Sequence, residues 1–449
     1  MQLAAPERGL AARRRIAAAA CALIAAAVPT AAHSQEATGS WTLDTSILLY
    51  GEQDRTEIFE PVARISRLFS NGHRLSGQFA YDAITGASPT GALPSGQLQT
   101  TTTPSGNTVT IAAGAVPTNE FQDQRFALDG EWEAPLARTL KSTLGAHYSS
   151  ETDYMSLGGS ASASYEIMDR LTTLTAGMGY NADKVSPIGG TRTGLSDGTV
   201  AVQGLDNPKN VTSGMLGVSH ILSRRWLVGL SGTLQAEDGY LTDPYKVVSL
   251  VDSTTLEVSG QLTEKRPDKR QRASLLFSSV YHLNEDVFYF SLRGYSDDWN
   301  VRSGTLDLRL RHELANGKYL QPHVRYYSQS QADFYVPGLI AGQALPAYAS
   351  ADYRIGPLRT GTLGLTYGFH VKGMPGTVSL RAEYLRQWLA TPGGEGEGEG
   401  GGGDDDRAAG GGEVRAGPVT TATIDPASIQ SNMPPLNIGS FLIGYTVNF

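Results

Sequence analysis

The chain has 449 residues, with 52 glycines, 22 prolines, one cysteine and a formal net charge of −8. This mildly acidic balance gives no indication of a nucleic-acid partner. Cys21 lies in the leader described next, so the remaining chain can form no disulfide, thiolate metal site or covalent c-type haem link. After Ser34 no run of eighteen apolar residues remains, which excludes helical membrane spans.

The first 34 residues have the pattern of a secretory signal peptide. Several arginines between residues 8 and 15 precede an apolar run over 16–28, and small residues follow, with a cleavage site at 32–34. We predict that residues 1–34 are removed and that residues 35–449 form the mature protein.

Sixteen segments of roughly ten residues or more alternate between apolar and polar side chains, which is the pattern of strands with one apolar face. In chain order they are Trp41–Tyr50, Glu57–Phe69, His73–Asp82, Phe121–Glu133, Thr139–Ser150, Tyr154–Ile167, Leu171–Ala182, Asn210–Ile221, Arg225–Glu237, Asp268–His282, Val287–Asp298, Val301–Leu314, Lys318–Ala332, Leu358–Val371, Gly376–Trp388 and Asn437–Phe449.

The connections between these segments differ in length in a regular way. After even-numbered segments they are short, whereas after odd-numbered segments they are usually long, over 83–120, 183–209, 238–267, 333–357 and 389–436. A rim of tight turns opposite a rim of long loops is typical of outer-membrane barrels. A soluble β-sandwich gives no reason for short and long connections to be separated in this way. We therefore predict an all-β fold, a transmembrane antiparallel up-and-down β-barrel of about 16 strands with short periplasmic turns and long extracellular loops.

One long connection has a biased composition. Residues 393–412 alternate Gly with Glu and include an Asp triplet. We predict a disordered, solvated external loop. Calcium binding is the alternative, but the spacing is not that of an EF-hand.

The final segment ends the chain on an aromatic residue. Tyr445, Val447 and Phe449 lie on its apolar face. This ending resembles the C-terminal signature of bacterial outer-membrane barrels, which implies recognition by the barrel-assembly machinery. The alternative is an edge strand of a soluble sheet.

Charged residues alternate with the apolar ones on several segments, and a charge facing lipid costs a few kcal/mol, so we expect them in the lumen. The predicted lumenal charge band comprises Arg293, Arg309, Arg311, His323, Arg325, Arg381 and Glu383 on one wall, with Asp123, Asp129 and Glu131 able to face them. One interpretation is a transverse field that selects solutes in a pore. The other is a cross-strand ladder of salt bridges that stiffens the wall, and the sequence leaves both open.

The stretch from Asp82 to Pro89 resembles the acceptor motif of proteins that carry FMN in phosphoester linkage. In that motif an acidic residue precedes a Thr/Ser-Gly-Ala-Thr/Ser run by three positions. The resemblance implies attachment at Ser88, with Asp82, Thr85 and Gly86 completing the motif. The alternative is an ordinary turn rich in Gly, Pro and Ser.

Other chemistry has no support in the sequence. We find no nucleophile elbow, phosphate loop or metal-spaced histidine pair, and we predict neither an enzyme nor a metal protein. A barrel-embedded hydrolase would need a Ser, a His and an acid that meet only in three dimensions.

Several short sequence stretches together resemble those of a bacterial family known as domain of unknown function 3570. They are Asp82–Pro89, Gly239–Lys246, Glu264–Pro267, Arg293–Trp299, Arg325–Gln329 and Ala332–Tyr335. The family implies an exported protein of unknown role. Its members often occur beside a small lipoprotein and a flavin transferase, which are the partners that the resemblance implies.

Three functions follow as hypotheses. The first is an outer-membrane channel or export conduit with a charged lumen, in contact with outer-membrane lipid. The second is an outer-membrane scaffold in extracellular electron transfer that carries FMN on Ser88 or holds a partner. The third is a barrel-embedded hydrolase.

Overall fold

The computed structural model describes residues 39–102, 108–197, 204, 206–389 and 435–449. The predicted signal peptide, 1–34, and the predicted disordered loop, 393–412, lie outside these residues. The described strands are β1 (Trp41–Glu52), β2 (Thr56–Leu68), β3 (Arg74–Pro89), β4 (Gln99–Thr102), β5 (Thr108–Ile111), β6 (Thr118–Ala137), β7 (Leu140–Ser150), β8 (Tyr154–Ile167), β9 (Thr172–Val185), β10 (Asn207–Ser223), β11 (Trp226–Gly239), β12 (Val247–Val251), β13 (Val258–Thr263), β14 (Lys269–His282), β15 (Asp286–Asp297), β16 (Arg302–Leu314), β17 (Lys318–Gln329), β18 (Gly338–Ile340), β19 (Leu358–Phe369), β20 (Thr377–Leu389) and β21 (Leu436–Asn448).

Sixteen of these strands form a closed antiparallel barrel, which confirms the predicted fold class. Their order is β1-β2-β3-β6-β7-β8-β9-β10-β11-β14-β15-β16-β17-β19-β20-β21. The last strand pairs with the first, and Trp41 and Phe449 exchange backbone hydrogen bonds of 2.7 and 2.9 Å. Each barrel strand overlaps one predicted segment. Closure satisfies the backbone hydrogen bonds without leaving an edge.

The two faces of the wall differ in the way that the alternation predicts. On β6, Phe126, Leu128 and Trp132 point outward and are 48%, 57% and 46% exposed, whereas Asp123 points inward and is buried. The outward face of the barrel is thus apolar and the inward face polar. Among the described residues, no helix has the length and apolarity needed to cross a membrane.

At one rim, which we call the tight-turn rim, the strands are joined by short turns with special backbone geometry. Gly72, Asn316 and Gly317 have φ angles of 80°, 63° and 68°, in the left-handed region that Gly and Asn adopt most readily. Such Asn-Gly turns match the twist of paired strands.

At the opposite rim, which we call the long-loop rim, the connections have their own secondary structure, which the sequence analysis did not predict. β12 pairs antiparallel with β13 and parallel with β18, and β4 pairs with β5. We call the described residues of 90–117, 186–197, 240–268 and 330–357 the cap. Val248, Ala349 and Ala351 form a buried cluster within it, so the cap is a packed unit.

Candidate functional site: the capped lumen

The cap is attached to opposite sides of the barrel mouth. On one side, the buried Lys246 donates to the Ser88 hydroxyl at 3.4 Å and to the carbonyl of Pro89, at the end of β3. On the other side, Gln329 of β17 donates to the carbonyls of Arg354 and Gly356 at 2.9 and 2.8 Å. Because β3 and β17 are six strands apart by the shorter way round a ring of sixteen, the cap bridges the mouth.

An ion cluster holds two cap segments together. It comprises Asp243, Glu264, Arg266, Asp352 and Arg354, and we call it the cap ion cluster. Arg266 Nη2 donates to Glu264 Oε2 at 3.0 Å and to Asp352 Oδ2 at 2.8 Å. Arg354 Nη2 donates to Asp243 Oδ2 at 2.6 Å and to Asp352 Oδ2 at 2.5 Å. The carboxylates are buried, so each arginine is needed to compensate them.

Two carboxylates of the cap ion cluster, Glu264 and Asp352, have pKa values that are shifted in opposite directions. Burial raises the pKa of Glu264 above 4.5, because desolvation outweighs the attraction of Arg266. Burial also acts to raise the pKa of Asp352, but Arg354, Lys246 and Arg266 outweigh it and hold that pKa well below 3.8. Asp352 is therefore the ionised centre of the cluster.

A cavity of about 290 Å³ lies between the cap and the lumenal wall of β10, β11 and β14–β17. Five arginines line it, Arg270 and Arg272 from β14, Arg293 from β15, Arg325 from β17 and Arg354 from the cap. We call this cavity the arginine chamber. The described residues that line it include no Asp or Glu.

The carboxylates that compensate two of these arginines lie on neighbouring strands beside them and do not line the arginine chamber. Arg270 forms an ion pair with Asp297, and Arg272 Nη2 lies 2.7 Å from Glu237 Oε2. Both carboxylates are buried. Within the described part of the chain, no carboxylate lies within 4 Å of the Arg325 guanidinium. The chamber surface is consequently electropositive.

Two of the five arginines, Arg293 and Arg325, belong to the predicted lumenal charge band, and three were missed. Arg270 and Arg272 alternate with Lys269 and Gln271, which are also polar, so this stretch has no apolar face and shows no alternation. On β14 only the even-numbered residues of this run line the chamber. The sequence signal for this was the apolar series Ala273, Leu275 and Phe277, which puts positions 270 and 272 on the opposite face. Arg354 lies in a long connection, where no local pattern indicates a direction.

The other members of the predicted band lie nearer the tight-turn rim, and each has an opposite charge beside it. His323 Nε2 lies 2.8 Å from Asp307 Oδ2, and its Nδ1 lies 2.6 Å from Glu383 Oε1. Arg309 Nε lies 3.0 Å from Asp307 Oδ1, and Arg381 pairs with Glu383. Arg311 pairs with Glu313 at 2.5 Å. The three arginine pairs each join residues two apart on one strand, and among these contacts only those of His323 connect different strands. Both interpretations of the band stay predictions.

The predicted acidic residues come from β6, which lies diametrically across the ring from β16. The structure gives two of them local partners: Asp129 Oδ1 lies 2.6 Å from His147 Nδ1, and Glu131 Oε2 lies 2.7 Å from Arg64 Nη2. Local pairing reduces the field that these carboxylates can project across the lumen.

The third acidic residue, Asp123, belongs to a carboxylate cluster at the long-loop rim. Ligand oxygens of Asp123, Glu151 and Asp153 all lie within 4.8 Å of one another, close enough to hold a cation. Asp123 also accepts from Thr152 at 3.0 Å, and Asp153 accepts from the Tyr245 hydroxyl at 2.8 Å. The cluster thus has structural contacts of its own, including one to the cap.

The FMN-like stretch was predicted to enter a long loop, but it lies in a strand. β3 continues to Pro89 and pairs Ser88 with Asn119. Ser88 is 5% exposed, and Asp82 is fully buried in an ion pair with Arg125. Thr85 is exposed. At Gly86 a Cβ would lie 2.1 Å from the Arg55 carbonyl oxygen, so this position accepts only glycine. FMN attachment stays a prediction, and in this conformation the Ser88 hydroxyl faces Lys246 rather than solvent.

The C-terminal residues form the barrel seam. The Tyr445 hydroxyl donates to the Pro375 carbonyl at 2.6 Å, Val447 is buried, and Phe449 is 65% exposed. Recognition of these residues by the assembly machinery stays a prediction.

Comparisons with known proteins give one family and several structures of similar fold. The outer membrane protein OpdK from Pseudomonas aeruginosa is 9% identical, with 92% of this chain and 99% of that chain covered and a TM-score of 0.37. The siderophore receptor PirA from Acinetobacter baumannii is 9% identical, with 79% of this chain and 53% of that chain covered and a TM-score of 0.40. A comparison with curated proteins finds no match. Residues 13–402 match the family described as "Protein of unknown function (DUF3570)". The chain belongs to this family, which confirms the resemblance seen in its sequence.

Proposed function

We propose that this protein is an outer-membrane transport barrel whose lumen is closed by the cap and opens when the cap is displaced. The bridging of the mouth by the cap, directly over the arginine chamber, carries the proposal. A closed barrel of sixteen strands is wide enough to leave an aqueous lumen. A folded cap blocks the passage of solutes through the lumen until the cap moves.

The proposed location is the outer membrane. The apolar outward face of the wall fits a hydrocarbon environment, and the polar inward face fits a water-filled lumen. In this orientation the tight-turn rim is periplasmic and the cap is extracellular, so the cap is the first part of the protein that an external solute meets. A small lipoprotein and a flavin transferase are further proposed partners.

Conductance in planar bilayers tests this proposal. Arg266→Ala leaves the buried Glu264 and Asp352 without one of their cations, so we expect the cap to loosen and conductance to rise well above that of the wild type. Lys265→Ala is the matched control, because it removes the same charge from the neighbouring, exposed side chain.

Two results contradict the proposal. If the wild type already conducts as well as Arg266→Ala, the cap does not close the lumen. If neither conducts although proteolysis shows that the cap is released, the barrel is not a conduit.

A further inference from the structure

We infer that the arginine chamber is a binding site for a small organic carboxylate. This inference deepens the proposed transport function, since it names the class of solute that the lumen accepts. The arginine chamber has a volume of about 290 Å³, which is close to the lower end of the range of small-molecule sites.

The polar lining selects for negative charge. Five guanidinium groups converge on the arginine chamber, and guanidinium binds carboxylate with two parallel hydrogen bonds. The carboxylates paired with Arg270 and Arg272 are buried and do not line the chamber. A bound anion would therefore meet cations at the surface of the cavity and little competing negative charge.

The rest of the lining selects for a carbon skeleton. Met215, Leu276, Val301 and Ile355 contribute apolar surface, and Tyr295 and Tyr327 contribute rings with hydroxyl groups. Burying apolar ligand surface against such side chains is favourable, whereas an inorganic anion gains nothing from them. The mixture of cations and apolar surface points to an organic acid rather than to a bare oxyanion.

Arg354 connects this site to the cap. It lines the arginine chamber and also pairs with Asp243 and Asp352 of the cap ion cluster. A carboxylate in the chamber competes with these two cap carboxylates for the same guanidinium. Occupation of the site thus weakens one of the contacts that hold the cap segments together.

Isothermal titration calorimetry on the folded full-length protein in detergent tests the inference, with succinate as the probe and its uncharged diamide as the control. We expect saturable succinate binding, and no binding of the diamide. Arg325→Gln should weaken succinate binding roughly tenfold, because it removes a charge-assisted hydrogen bond. Arg325→Lys, which keeps the charge without the fork geometry, should give a smaller loss.

Arg311→Gln is the matched control, because Arg311 is a lumenal arginine outside the arginine chamber, and it should bind succinate as the wild type does. The heat-induced shift of the barrel on gels verifies that each variant is folded. The inference is overturned by absent succinate binding, by equal losses in Arg325→Gln and Arg311→Gln, or by phosphate binding as tightly as succinate. Succinate binding together with no conductance in Arg266→Ala, although its cap is released, would instead contradict only the transport proposal.

Discussion

The barrel wall and the cap are built on different physical principles. The wall is made of neighbouring segments joined in chain order, and its stability comes from backbone ladders and from one apolar face on every strand. The cap joins side chains far apart in the sequence: Lys246 contacts Ser88 across 158 positions, and Arg266 contacts Asp352 across 86. The wall therefore supplies the cylinder, whereas the cap bridges its mouth through contacts between distant parts of the chain.

The largest effect should come from breaking the cap ion cluster. Removing one partner of a buried ion pair costs about 3–5 kcal/mol, because the remaining charge stays buried without compensation. We expect Arg266→Ala to make the cap sensitive to trypsin while the wall stays folded. Limited proteolysis followed by mass spectrometry locates the cuts, which should fall within 240–268 and 330–357.

Lys265→Ala provides the comparison, since its side chain is exposed and lies 5.7 Å from the Tyr348 ring. It removes one tryptic site and should leave the cap as resistant to cleavage at Lys246 and Arg354 as in the wild type. If Arg266→Ala unfolds the wall together with the cap, the two regions are one cooperative unit and the contrast between them is lost.

This contrast also explains how much the sequence could predict. Period-two alternation is a local signal, so all sixteen barrel strands could be located, and β8 was predicted over Tyr154–Ile167 as observed. The cap strands β12, β13 and β18 are short and depend on partners from distant loops, which local patterns do not specify. The end of β3 was predicted too early: residues 83–86 pair with both β2 and β6, and residues 87–89 pair with a β6 that begins earlier than predicted.

The candidate site divides in the same way. Arg293 and Arg325 could be predicted because each alternates with apolar neighbours on a barrel strand. Arg354 could not, because its direction depends on the cap ion cluster. A lumenal position can thus be predicted from alternation, whereas the assembly of a chamber depends on loops that fold over it.

The second prediction concerns the wall. Leu216 is 71% exposed near the middle of β10, so Leu216→Arg places a charge in lipid and should destabilise the barrel by about 2–4 kcal/mol. Denaturant unfolding in lipid vesicles measures this change. Ser219→Arg adds the same charge on the lumenal face of the same strand and should cost much less. Equal losses in the two variants would contradict the assignment of the faces.

The third prediction concerns acid. The pKa of Asp352 is lowered in the cap, so its ionised form stabilises the cap above pH 3.8, and this stabilisation is lost as the pH falls below that value. The pKa of Glu264 is raised, so its protonation stabilises the cap as the pH falls toward 4.5. These opposite signs predict a cap that stays closed on mild acidification and opens below pH 3.8.

Cleavage of the cap by pepsin over a range of acid pH measures this opening. In Asp352→Asn the cap should already be weakened at neutral pH, and its acid dependence below pH 3.8 should be smaller. An unchanged acid profile in this variant would show that another group controls the opening.

The smallest effect should come from an exposed ion pair at the long-loop rim, between Asp238 and Lys269. Their charged atoms lie 3.4 Å apart, and the two side chains are 64% and 73% exposed. Exposed pairs contribute less than about 1 kcal/mol, because water screens them. Asp238→Asn should therefore leave the tryptic cleavage of the cap unchanged, although it breaks an ion pair as Arg266→Ala does. Release of the cap by Asp238→Asn would contradict this prediction. It would show that exposed charges at the rim, and not the buried cap ion cluster, hold the cap in place.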